Sequence, residues 1–153
     1  MRMSFAAFAL VLLAAVPASA APRLPVETVV IQTGHGEHAF QMEVAADETS
    51  RATGLMRRTH LARDAGMLFD FRTVVMTAFW MKDTPLPLDI IFVRADGTIS
   101  TIAANAVPYS TAEIAAAEPI RAVIEIRGGL SRELGIVPGN RVRAPIFTEP
   151  SRH

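Results

Sequence analysis

From residue 27 to residue 147 the chain is cut into short β-branched or alternating runs by glycines, prolines and Asp-Gly or Pro-Gly pairs. No strand–helix–strand rhythm repeats along it. Runs this short bury one face as strands, and turn signals this dense favour antiparallel pairing over long crossovers. Strands are expected at 27–32, 38–44, 66–71, 74–82, 88–94, 98–103, 121–127 and 141–147. The 107–118 stretch is ambiguous, alanine-rich but bounded by Pro108 and Pro119. Asp96-Gly97 is the strongest hairpin signal, and Pro138-Gly139 suits a type II turn. In 121–127, Val123 and Glu125 alternate with Ala122, Ile124 and Ile126. Two short helices are expected. One spans 48–53, with Asp47 as N-cap, Glu48 at the positive end of the dipole and Gly54 as the stop. The other follows Gly128-Gly129 and ends at Gly135. The fold class is mainly β, α+β by strict count: a compact antiparallel sandwich or small barrel.

The first twenty residues read as a cleaved leader. Arg2 precedes an apolar run over 5–16, Pro17 breaks it, and Ala18-Ser19-Ala20 offers the small-x-small cleavage pattern. The run is too short for a bilayer span, which takes about 20 residues. The expectation is export to the periplasm or beyond, with a lead-in over 21–26, one globular domain over 27–148 and a short tail over 149–153. The chain has no cysteine. That excludes disulfides, cysteine catalysis and iron–sulfur ligation, so packing alone holds the fold. Acidic and basic residues balance at 15 each. No basic stripe marks a nucleic-acid partner, and no membrane partner is expected once the leader is gone.

The most informative stretch is 79–89. It sets the only tryptophan, Trp80, two residues from the only lysine, Lys82, ahead of Pro85, Pro87 and Asp89. On a strand, a spacing of two sends Trp80 and Lys82 to one face. If the flanking strands pair across the proline-stiffened connection, Asp89 lies level with Lys82. The trio then forms either a platform for a polar or anionic ligand or an ion pair sealing an apolar core. Arg51, Arg57 and Arg58 flank Gly54-Leu55-Met56. They suit bidentate recognition of a carboxylate or phosphate, or equally the carbonyls of a neighbouring strand. His35, His38, His60 and five methionines beyond the leader invite copper. Met42, Met67 and Met81, however, sit in strand-like apolar context as core filler, and neither a metal nor another cofactor is expected. No Gly-x-Ser-x-Gly elbow occurs. Asp70, Asp83, Asp89, Glu113 and Glu125 are free to converge, but their spacing does not bring them together.

Arg51 with 54–58, then Gly66-Met67-Leu68-Phe69-Asp70-Phe71, then 79–84 with Pro87-Leu88-Asp89-Ile90 resemble the family called domain of unknown function 192. The stretches 123–129 and 135–142 look like that family's closing segments, so the likeness covers 27–147. Two departures are Asp83, often asparagine in the family, and Asn140, often aspartate. The resemblance implies a mostly β, compact, often exported protein without an established activity. Its shared motifs fall on the Arg51–Arg57 and Trp80–Asp89 regions, which implies that they face one pocket.

The leading expectation is therefore a non-catalytic exported domain. It would bind a small polar or anionic ligand beside Arg51, Arg57, Trp80, Lys82 and Asp89. The alternatives are an envelope hydrolase using Asp89 with a second carboxylate, or a module that pairs a partner strand with a sheet edge.

Overall fold

The computed structural model describes residues 23–148; the expected leader over 1–20 and tail over 149–153 lie outside the described residues. The chain runs β1 (Val26–Thr33), β2 (Gly36–Ala45), α1 (Glu48–Thr53), β3 (Ala65–Val75), β4 (Ala78–Phe79), β5 (Leu88–Val93) and β6 (Ile99–Ala106). It continues through β7 (Ile114–Ala115), β8 (Ile120–Arg127), α2 (Leu130–Leu134), β9 (Arg141–Arg143) and α3 (Pro145–Thr148). Seven strands form one sheet in the order β6-β5-β8-β3-β2-β1-β9, and β4 pairs with β7 alone. The mainly β class holds, as a mixed, curled sheet.

β1 and β2 form the expected antiparallel hairpin, Val29 opposite Phe40. β2 and β3 instead run parallel, Val44 opposite Leu68. Parallel neighbours need a crossover of a dozen residues or more, and residues 46–64 supply it. The Asp47 carboxylate accepts the Ser50 N–H at 2.9 Å, and the Ser50 hydroxyl accepts the Asp47 N–H at 3.3 Å. This reciprocal cap starts α1. Gly54, at φ 49°, donates its N–H to the Ser50 carbonyl and ends it.

The curl brings the outer strands together. Thr98, just before β6, bridges Arg141 of β9. Around that bridge the Ile99 N–H donates to Asn140, Gly139 to Ile99 and Val142 to Gly97. One end of the sheet is thus drawn together, and the whole is a curled half-barrel. Inside the curl lie Val29, Ile31, Phe40, Met42, Leu68, Ile91, Val93, Ile124 and Ile126, capped by Leu130 of α2. Each such side chain contributes about 1.5–3 kcal/mol when removed from water.

A second core lies on the other face. Met67, Phe69, Leu88, Ile90, Phe92 and Val123 are covered by Leu55, Met81 and Ala116, with Phe79 and Ile114 packed alongside. β5 is therefore buried along its whole length, as a strand covered on both faces must be. Met42, Met67 and Met81 are each at most 1 % exposed and serve as the filler expected of them.

The structure corrects two strand boundaries. β3 runs through Val75, and β4 holds only two residues, so Trp80 and Lys82 lie in the loop beyond it. β9 stops at Arg143 because Pro145, which has no N–H to give a ladder, opens a third helix.

Candidate functional site

α1 carries no buried residue, so its place is set by its ends and by one side chain. Arg51 Nη1 donates to the carbonyls of Ala46 at 2.8 Å and Asp70 at 3.1 Å. Its guanidinium stacks over Phe71, 5.5 Å from the ring centre. Leu55 follows the helix and plugs into the outer core at 2 % exposure. Between this crossover and the sheet a cavity of about 400 Å³ remains. Leu55, Met56, Phe69, Phe71, Phe79 and Trp80 form its apolar walls, with Arg51, Glu48, Thr84 and Glu125 among its polar ones.

The aromatic wall is ordered by packing. Phe79 meets Phe69 edge to face at 4.9 Å and Phe92 at 6.2 Å, arrangements favoured by the ring quadrupole. Trp80, 47 % exposed, stands at the opening. Lys82 Nζ lies 5.3 Å from the indole centre, a cation–π contact. Lys82 and Trp80 are thus neighbours, through a loop rather than a shared strand face. Asp83 takes φ 54°, Arg57 φ 61° and Tyr109 φ 62°. All three surround the 80–84 loop: the Arg57 N–H donates to Asp83, and the Tyr109 N–H to Thr84. Left-handed conformations in non-glycine residues cluster where function holds a loop against its preference. Aspartate and asparagine tolerate that conformation best, which suits Asp83 to its place in the loop.

Asp89 does not join this group. On β5, with no exposure, its carboxylate accepts the N–H of Asn105 at 2.8 Å, of Gly129 at 2.9 Å and of Ser131 at 2.8 Å. It holds the start of α2 and the Gly128-Gly129 turn. A Cβ at Gly128 would stand 2.8 Å from the Asn105 amide oxygen and 2.9 Å from Pro87, while Gly129 takes the left-handed φ of 83°; close packing calls for the first glycine and backbone conformation for the second. The expectation that Asp89 stands level with Lys82 is corrected, because the backbone donors of a helix start attract a buried carboxylate more strongly than a solvated ammonium does. Among the described residues Lys82 enters no ion pair. Arg57 is exposed and outside the cavity lining. Arg58 pairs with Glu43 at 2.5 and 2.6 Å, facing a second cleft of about 690 Å³ across α1. Asp70, partnered by Arg121, is likewise committed.

The residue that the site reading passed over is Glu125. It occupies the middle of β8 between Met67 of β3 and Ile90 of β5, 4 % exposed on the face of Val123. Among the described residues nothing donates to its carboxyl. Burial alone pushes that carboxyl up to about 8, so at neutral pH it is mainly protonated, able both to donate and to accept a hydrogen bond. A signal was present in the sequence: a carboxylate holding a core-facing position in an otherwise apolar alternation.

The family model "DUF192: Uncharacterized ACR" matches residues 29–144. No curated protein matches the chain. Among solved structures, a protein of Sinorhizobium meliloti 1021, provisionally named a transcription regulator, is 41% identical with TM-score 0.80, over 83% of this chain and 99% of its own. A protein of unknown function from Novosphingobium aromaticivorans DSM 12444 is 43% identical with TM-score 0.77, over 82% of this chain and 94% of its own.

Proposed function

The chain belongs to the DUF192 family, and on that premise we propose that it is a non-catalytic binder of a small ligand, held in the cavity beneath α1. The observation that carries this reading is the unpartnered Glu125 carboxyl at the cavity wall, 4 % exposed, in a lining it shares with Leu55, Phe69, Phe79 and Trp80. Desolvating a polar group with no partner costs on the order of 1–3 kcal/mol, a cost that a ligand's polar atom would offset. A concave, mostly apolar hollow with a few polar groups is the usual form of a small-molecule site. The family motifs at 51–58, 66–71 and 79–84 supply most of its walls. An anionic ligand loses support, because Lys82 and Arg57 stand outside the lining and a carboxyl stands within it. A hydrolase acting through Asp89 loses support as well, since that carboxylate is already saturated by three backbone donors. Strand docking at the sheet edge finds one end of both outer strands already engaged.

Titration of the single indole tests the reading. Small polar aromatic and aliphatic compounds should shift Trp80 emission in the wild type, and Ala78→Phe, which adds bulk at an exposed position of the cavity lining without a second indole, should weaken or abolish the response at unchanged fold. Wild-type emission that stays constant across such a panel would refute ligand binding at this site. We also infer export, from the leader pattern over 1–20. N-terminal sequencing of the product should begin near Ala21.

A further inference from the structure

The chemistry of the cavity is more selective than a generic small-molecule site. Three charged side chains line it: Glu48, Arg51 and Glu125. Arg51 is engaged with two carbonyls and the face of Phe71, and Glu48 lies three residues before it on the same short helix. Glu125 is flanked in the sheet by Met67 and Ile90, and it shares the cavity lining with the apolar Leu55, Phe69 and Phe79 and with the uncharged hydroxyls of Thr77 and Thr84. Aromatic faces attract cations; Phe69, Phe79 and Trp80 line the space that Glu125 borders, and the exposed Lys82 ammonium already lies 5.3 Å from the Trp80 ring centre. With Glu125 ionised the lining carries one net negative charge; an anion entering it would meet that charge undiluted by water.

Resting on the binding reading above, we propose that this cavity takes a small organic ammonium ion, an aryl- or alkylamine, with the Glu125 carboxyl as its counter-charge and the aromatic wall as its platform. In the empty site burial keeps the carboxyl mainly protonated at neutral pH. An arriving ammonium favours the ionised form, so binding releases one proton from Glu125 to solvent. The amine keeps its own proton and charge throughout. Affinity is then coupled to pH by linkage. It rises about tenfold per pH unit below the carboxyl's midpoint and flattens above it.

The test titrates the protein with 2-phenylethylammonium at pH 6, 7, 8 and 9. The uncharged 2-phenylethanol and the anionic 3-phenylpropanoate serve as matched probes. Trp80 emission reports occupancy, and calorimetry in buffers of different ionisation enthalpy counts protons. The expected result is preference for the ammonium, an affinity rising with pH as above and close to one proton released at pH 7. Glu125→Gln, isosteric and uncharged, should fold, bind the ammonium at least tenfold more weakly than the wild type at pH 9 and show no pH dependence. Preference for the alcohol or the carboxylate, an affinity that falls with rising pH, or a Glu125→Gln protein that binds as before would overturn the ammonium assignment while leaving a binding cavity in place. Failure of all three probes at millimolar concentration, in a protein with its native circular dichroism, would overturn the ammonium assignment. The binding reading itself falls only if the wider panel above also leaves the indole unmoved.

Discussion

Asp89 and Glu125 sit on adjacent strands, β5 and β8, a register step apart: Asp89 is opposite Ile126 and Ile90 opposite Glu125. Both are buried carboxyls in an apolar sheet, and they are treated in opposite ways. Asp89 receives three backbone N–H groups and fixes a turn and a helix start. Glu125 receives none and faces a hollow. A buried acid that is fully satisfied is architecture. One left unsatisfied is either a defect or a place kept for something that arrives. Sequence position alone does not separate the two; the supply of donors does.

The largest effect that sharpens this contrast is on pH dependence. In the unfolded chain Glu125 titrates at its ordinary 4.5, and in the folded protein at about 8. Below 4.5 both states hold the proton and nothing is lost. As pH rises from 4.5 to 8 the unfolded state sheds its proton while the folded state keeps it, so stability falls; above 8 it levels off. The total reaches up to about 5 kcal/mol at 1.36 kcal/mol per unit. Denaturant melts of the wild type and Glu125→Gln should therefore converge near pH 4 and diverge towards pH 9, with the variant more stable. Parallel curves would break the contrast from the Glu125 side.

Asp89→Ala attacks it from the other side. Three buried N–H groups lose their acceptor, and roughly 4 kcal/mol of stability should go with them. Asp89→Asn, which keeps one carbonyl oxygen, should lose about half of that. Thermal unfolding reads both, and a loss below about 1 kcal/mol for Asp89→Ala would show that the turn stands without its clamp.

The smallest effect concerns the strained rim. Arg57→Gly relieves a left-handed φ outside the cavity and should raise stability by up to about 1 kcal/mol. Ligand affinity should stay as it was. A destabilised protein would mean that the Arg57 side chain anchors the 80–84 loop.

Much of this was legible in the sequence wherever the physics is local. α1 begins and ends where Asp47 and Gly54 place it, and the Asp96-Gly97 pair turns β5 into β6. The alternation in β8 set Glu125 beside Val123 on one face. Pairings distant in sequence were not legible. Nothing in 36–45 or 65–75 declares that these strands run parallel, because direction is decided by the crossover that covers the outer core. Asp89 was read against Lys82, its neighbour in sequence, whereas its donors come from residues 105, 129 and 131. The mostly apolar 74–82 stretch reads as one strand that carries Trp80. The run breaks at Met76-Thr77, between the end of β3 and the start of β4.

The bridge between Thr98 and β9 has a consequence for the order of assembly. The contacts that join the two edges of the half-barrel come from residues 139–142, near the C-terminal end of the described residues. Until that stretch is free to dock, the interior has an unlatched seam beside Ile99, and a partly made or threaded chain remains an open, pliable sheet. The last strand acts as a clasp on the seam beside Ile99.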